Sequence, residues 1–200
     1  MLSKRLRDEA RDLLECLLVP GLAAVLPWSW CFRLFRILSR WGRLYREPVE
    51  ASCLQAQAAG WLGREPGAVE AWRRARRLMH MVDHADLYLA RTRGDRWMAR
   101  HLKVEGSWPA GDSPGVLCTF HWGAGMWGLR HAASSGMKAQ ALVAPLNPAH
   151  FGGRAFFLRY SKLRNATVAR ALGRAPLDVA GSLRPVVKAL RAGEQVLAAV

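Results

Sequence analysis

The chain predicts an α/β fold in which a helical N-terminal part precedes a mixed sheet with flanking helices. Two observations carry this. From Val116 onward, short apolar runs (Val116 to Phe120, Ala139 to Ala144, Gln195 to Val200) alternate with helical stretches (Met126 to Ser135, Phe156 to Leu163, Ser182 to Leu190). Before that point the chain reads as helices and loops, and its 200 residues suffice for one domain or slightly more with a sizeable core.

Composition narrows the partners. The net charge of +15 and the pI near 11.1 call for an anionic one: nucleic acid, anionic lipid or an acidic carrier protein. Arginine dominates the basic residues, which suits bidentate phosphate and carboxylate contacts and equally fits a GC-rich genome. Of the nine tryptophans, Trp28, Trp30, Trp41, Trp61, Trp72 and Trp97 lie in the first half, and tryptophan favours interfaces with one apolar and one wet side. The four cysteines are isolated, so neither a zinc module nor a disulfide framework is indicated, and a reduced, cytoplasm-facing environment follows.

Taken in order, residues 1–15 form an exposed or amphipathic helix. The uncharged run Cys16 to Phe32 is at the short limit for crossing a bilayer and is interrupted by Pro20, Gly21 and Pro27. Arg33 to Arg46 sets Leu34, Phe35, Ile37, Leu38, Trp41, Leu44 and Tyr45 against Arg33, Arg36, Arg40, Arg43 and Arg46. That is the pattern of a basic helix lying in a membrane interface, and also of an amphipathic helix on a soluble core. Its adjacency to the apolar run favours the membrane: a monotopic anchor, or one short membrane segment. Residues 1–48 are thus the anchoring part, 49–103 a helical segment and 104–200 the α/β core. Within Ala68 to Ala90, a second long helix, His80, Asp83 and His84 share a face, but spacing supplies no third metal ligand. Gly94 to Gly115 reads as loop, and Thr167 to Ala171 as a short strand or turn. The chain stops on an apolar run that looks like an interior strand, so the last strands of the sheet are expected to be missing.

The chemistry centres on Val116 to Phe120, a buried strand that delivers His121 to a glycine turn. Gly123, Gly125 and Gly128 match G-x-G-x-x-G after a strand and before a helix, the context of a dinucleotide fingerprint. The confirming acid is missing, since no Asp or Glu lies between Asp112 and Asp178; an NADP-type site using arginine stays open. That acid-free window carries Arg130, Lys138, Arg154, Arg159, Lys162, Arg164, Arg170 and Arg174, a field that favours an anionic ligand. No nucleic-acid motif is present, and none accounts for the histidine turn.

With Val104-Glu105-Gly106, the run Gly115 to Gly123, the G-x-x-F-x-x-R stretch Gly153 to Arg159, and Leu190 to Val200, the sequence resembles the lysophospholipid acyltransferase superfamily. The branch it is most similar to is that of the bacterial lipid A lauroyl/myristoyl acyltransferases. The resemblance implies a glycerolipid acyltransferase-like fold on the cytoplasmic face of the inner membrane. It implies transfer of a fatty acyl group from acyl carrier protein or acyl-CoA to a hydroxyl of a lipid acceptor, on an anionic membrane surface, with no cofactor and no metal. His121 becomes the general base and Arg159 a second catalytic group. Arg154 and Arg164 bind phosphate or developing negative charge, and Gly123 and Gly125 offer backbone donors. One departure stands out: the family block H-x4-D/E has Met126 at its acidic position. Glu105, Asp112 or Asp178 substitutes, a backbone carbonyl or water orients His121, or the protein is impaired and binds lipid or acyl carrier without turnover.

Overall fold

Parallel strands buried on both faces need continuous apolar runs, and Gln195–Ala199 supplies one. In the computed structural model, which describes residues 2–63, 65–109, 113–119, 123–180 and 182–199 (backbone only at 2, 3 and 199), this segment is β4. It lies between β1 (Gly115–Thr119) and β2 (Ala139–Val143), with β3 (Leu177–Asp178) beyond β2, in the order β1-β4-β2-β3. Leu197 stands opposite Leu117 on one side and Ala141 on the other. The expected interior strand is therefore interior, but the described strands are all parallel rather than mixed.

One face of the sheet packs Ala139, Ala141 and Leu197 against Ala132 of α7 (Gly125–Ser134) and Leu172 of α8 (Ala155–Leu172). The other packs Val196 against Val186 and Ala189 of α9 (Arg184–Arg191). β1 was expected to be buried. It pairs only with β4 among the described strands, and its outward side chains Val116 and Cys118 are exposed. Cys16, Cys31 and Cys53 are buried.

The N-terminal half is a helical layer built on α5 (Ala68–Thr92). Arg77, Met81, Ala85 and Leu89 recur every four residues along its buried stripe, the spacing that keeps side chains on one helix face. Against it lie α2 (Val19–Val25), α3 (Trp28–Leu38) and α4 (Arg46–Ala58), around a core of Phe35, Leu44, Tyr45, Val49 and Met81. α1 (Leu2–Leu13) leads through a π-helical turn at Leu14–Leu18 into α2.

Several sequence expectations change here. The uncharged run does not form one rod: it is divided between the π-turn, α2 and the start of α3, with Leu26 extended at the break. Cys16, Val19 and Ala23 are core residues, and no described helix is long and apolar enough to cross a membrane. The basic helix ends at Leu38 rather than at Arg46, and its apolar residues Phe35, Leu44 and Tyr45 are buried in the protein's own core. A new helix, α4, then starts at Arg46, with Pro48 in its first turn, where a missing N–H costs nothing.

The break is held by Tyr45, a non-glycine residue at φ +50. Its N–H donates to Glu15 Oε1 at 2.6 Å, its hydroxyl donates to the Glu15 carbonyl, and its ring stacks on His80 and His84 at centroid distances of 5.3 and 5.5 Å. Burial raises the Glu15 carboxyl above its ordinary value, opposed by the Tyr45 N–H.

Two further segments differ from the sequence reading. The supposed loop after Gly94 begins with a short helix, α6 (Asp95–His101). Thr167 to Ala171 is neither strand nor turn but the last part of α8, where the Thr167 hydroxyl donates to the Leu163 carbonyl and Gly173 caps the end at φ +67.

Candidate active site

A parallel strand that ends in a turn feeding a helix places the turn at the carboxyl edge of the sheet, where ligands of open α/β sheets bind. β1, the turn at Gly123 and Ala124, and α7 make such a unit. His121, with Phe120 and Trp122, lies outside the described residues. Gly123 has φ +68, and a Cβ there would come within 3.8 Å of Val82 Cγ1 on α5, so the turn rests against the long helix. The Gly125 N–H donates back to the Gly123 carbonyl at 3.0 Å, leaving that amide engaged rather than free for an anion.

One turn along α5 from Val82 is Asp86, and it meets the other end of the same turn. Its Oδ2 accepts the Met126 N–H at 2.6 Å. α7 has no side-chain cap of its own at Ala124, so Asp86 supplies the acceptor that its first turn lacks. The helix dipole favours negative charge there. Asp86 is 1% exposed, and Oδ1 is buried without a hydrogen-bond partner. Burial pushes its carboxyl up to about 7, against the opposing pull of the Met126 N–H. Residue 126, where the resemblance expects an acid, thus carries an apolar side chain and holds a carboxylate through its backbone.

The arginines separate into two kinds. Arg154, at the start of α8, forms a two-pronged pair with the buried Asp12 of α1, with Nε 2.8 Å from Oδ2, and its guanidinium lies 4.6 Å from the Phe157 ring centre. Arg164 donates to Asp83 Oδ1 at 2.6 Å and to the Tyr160 hydroxyl at 3.5 Å. Burial acts to lower its pKa, but the hydrogen bond and charge of Asp83 prevail and raise it. Both guanidiniums therefore fasten α8, to α1 and to α5 respectively. Arg159, between them on the same helix, is exposed and makes no contact of this kind among the described residues.

His80, Asp83 and His84 are likewise engaged, His80 stacked on Tyr45 and the other two with α8. His84 Nδ1 hydrogen-bonds the Tyr160 hydroxyl, and burial, reinforced by Arg164, holds its imidazole down at about 3, so it is neutral. Of the substitute acids read from the sequence, Glu105 pairs with Lys103 at 2.6 Å and Asp178 accepts the Ala180 N–H at 2.8 Å; Asp112 lies outside the described residues. The sequence reading missed Asp86. An acid among the apolar residues of a helix stripe (Ala85, Leu87, Leu89) was the available signal, since such a group is buried only for a partner.

No protein-family model, no curated protein and no solved structure matches the chain.

Proposed function

We propose that the protein is a membrane-associated acyltransferase of the kind the sequence resembles, moving a fatty acyl group from a thioester on acyl carrier protein or coenzyme A to a hydroxyl of a lipid acceptor. The observation that carries the reading is the β1–turn–α7 unit, with His121 two positions beyond the last described residue of β1 and a buried carboxylate, Asp86, on the far end of the turn. His121 takes the proton from the acceptor hydroxyl. The oxygen attacks the thioester carbonyl, the new C–O bond forms as the C–S bond breaks, and the thiol leaves with the proton. Asp86 takes over the positioning role of the acid that residue 126 lacks: it fixes the start of α7 and with it the glycine turn that follows His121. Arg159 is the cation left available to a carrier phosphodiester or an acceptor phosphate. Arg154 and Arg164 serve by holding the helix that presents it.

Acyl carrier thioester and a panel of hydroxylated lipids are incubated with protein in detergent, with release of free thiol as the readout. Turnover by the wild type that drops at least a hundredfold in His121→Ala supports the reading. Equal silence of both across the panel sinks it and leaves a binding role.

A further inference from the structure

α3 turns Cys31 and Phe35 inward, and the arginines of its other face, with Arg40 just past its end, face outward together. Arg33, Arg36 and Arg40 are exposed and make no ion pair among the described residues. They line a surface cavity of about 500 Å³ whose opposite wall is α5, contributing Arg74 and Leu78. Sequence spacing alone shows the three residues on one helix; the fourth arrives from a helix some forty residues later. Glu70, which pairs with Arg74 at 3.2 Å, is shared with Arg77 at 3.3 Å.

The two walls are locked together. Arg77, 4% exposed, donates from α5 to the Ser39 carbonyl at the end of α3 at 2.9 Å, and the Ser39 hydroxyl closes back on the Arg36 carbonyl at 2.8 Å. The arginine heads are thus gathered on a fixed frame, which lowers the ordering cost of binding an anion. Beside them stand large apolar side chains in solvent: Ile37 at 62%, Trp30 at 67% and Trp41 at 45% exposure. Unpaired guanidiniums beside exposed tryptophan and isoleucine match the headgroup layer of an anionic bilayer, where phosphate lies over a partly apolar boundary. A free phosphate in water has no use for the apolar neighbours.

We propose that the cavity between α3 and α5 seats the phosphate of an anionic phospholipid, with Arg33, Arg36, Arg40 and Arg74 around it and Trp30, Ile37 and Trp41 entering the interface. This rests on the membrane part of the proposed function and not on acyl transfer. It narrows the monotopic anchor expected from the sequence to one face: the arginines meet the headgroups and the exposed Trp30, Ile37 and Trp41 enter the boundary, while Cys31 and Phe35 pack in the core.

The test is flotation with vesicles of phosphatidylcholine alone and of phosphatidylcholine mixed with phosphatidylglycerol. Wild type floats with the mixed vesicles and weakly with the neutral ones, and rising salt releases it. The variant Arg33→Gln/Arg36→Gln/Arg40→Gln, all exposed positions, keeps its melting temperature and loses about a hundredfold in partitioning, by the usual contribution of each basic residue near such a surface. Replacing Arg184, Lys188 and Arg191 on α9 by glutamine removes the same charge elsewhere and has a much smaller effect. Equal losses in the two triple variants would mean that net charge alone drives binding and would overturn the site. So would undiminished flotation of the first variant, or thermal stabilisation by inorganic phosphate that the first variant abolishes while vesicles have no effect. Detergent-solubilised turnover is measured in parallel, so silence there counts against the enzyme reading and leaves the lipid result standing.

Discussion

The helical layer and the sheet layer are held together differently. From the helical layer, polar side chains reach across long stretches of chain into buried positions: Glu15 to Tyr45 within the layer, and Asp12 to Arg154, Asp83 to Arg164, His84 to Tyr160 and Asp86 to the Met126 backbone out to the helices that cover the sheet. In the sheet layer, alanines and branched aliphatics make most of the contacts; the buried Gln195 amide donates to the Ser113 carbonyl at 3.0 Å, whereas the charge pair Arg174–Glu194, with Gln140 beside it, is peripheral. A sheet of continuous apolar strands specifies itself by shape and backbone pairing. Helices that share interchangeable apolar stripes need something directional to fix which faces meet, and buried charge pairs give that at a desolvation cost.

The sharpest way to break this comparison is to cut one long-range pair. Arg164→Met leaves Asp83 without its partner in a site where both side chains are less than one-fifth exposed, and urea unfolding should show a loss of roughly 3–5 kcal/mol. The double variant Asp83→Leu/Arg164→Met should recover much of it, because no uncompensated charge remains. A loss below about 1 kcal/mol for the single variant would put this pair on a level with a surface bridge.

Asp86 gives a test through pH. Its carboxyl stands above the ordinary carboxylate value, so the folded state holds the proton more tightly than the unfolded one. The resulting stabilisation is complete below about pH 4 and is lost as pH rises through about 7. His84 works in the opposite sense: its contribution is complete above its unfolded value and disappears as pH falls toward about 3. Asp86→Asn keeps an acceptor for the Met126 N–H and removes the titration. Because the His84 trend runs the other way over the same range, the melting temperature of the variant relative to that of the wild type should rise between pH 4 and 7. Parallel curves would show that Asp86 ionises as freely as a surface acid.

The smallest effect belongs to the sheet. Arg174 and Glu194 are about a quarter to a third exposed, and Arg174→Met should cost no more than about 1 kcal/mol by the same unfolding measurement. A cost near that of Arg164→Met would erase the distinction between the layers.

The same distinction explains what could be read in advance. β1, β2, β4, α7 and α9 came out of the sequence within a residue or two because apolar run length and helical period are local signals. α3 and α4 did not, because the chain reverses at Tyr45 in a left-handed conformation held by Glu15, thirty residues earlier. Thr167 to Ala171 read as a short strand or turn, and packing of Thr167 and Val168 within α8 overrode that local reading. At the candidate site, where His121 lies outside the described residues, the glycine turn between β1 and α7 was legible. Asp86 was not, since only the folding of α5 against α7 brings position 86 to position 126. Arg154 and Arg164 looked like ligand-binding cations for a related reason: a window free of acids in sequence is not free of them in space.

The exposed edge of β1 has a practical consequence. Three of the four thiols are enclosed, and Cys118 alone faces solvent, three positions before His121. The natural sequence therefore carries its own single attachment point for a thiol-reactive dye, on the strand that leads to the glycine turn. Fluorescence from that one position can test whether acyl carrier or lipid arrives there, without any engineered cysteine.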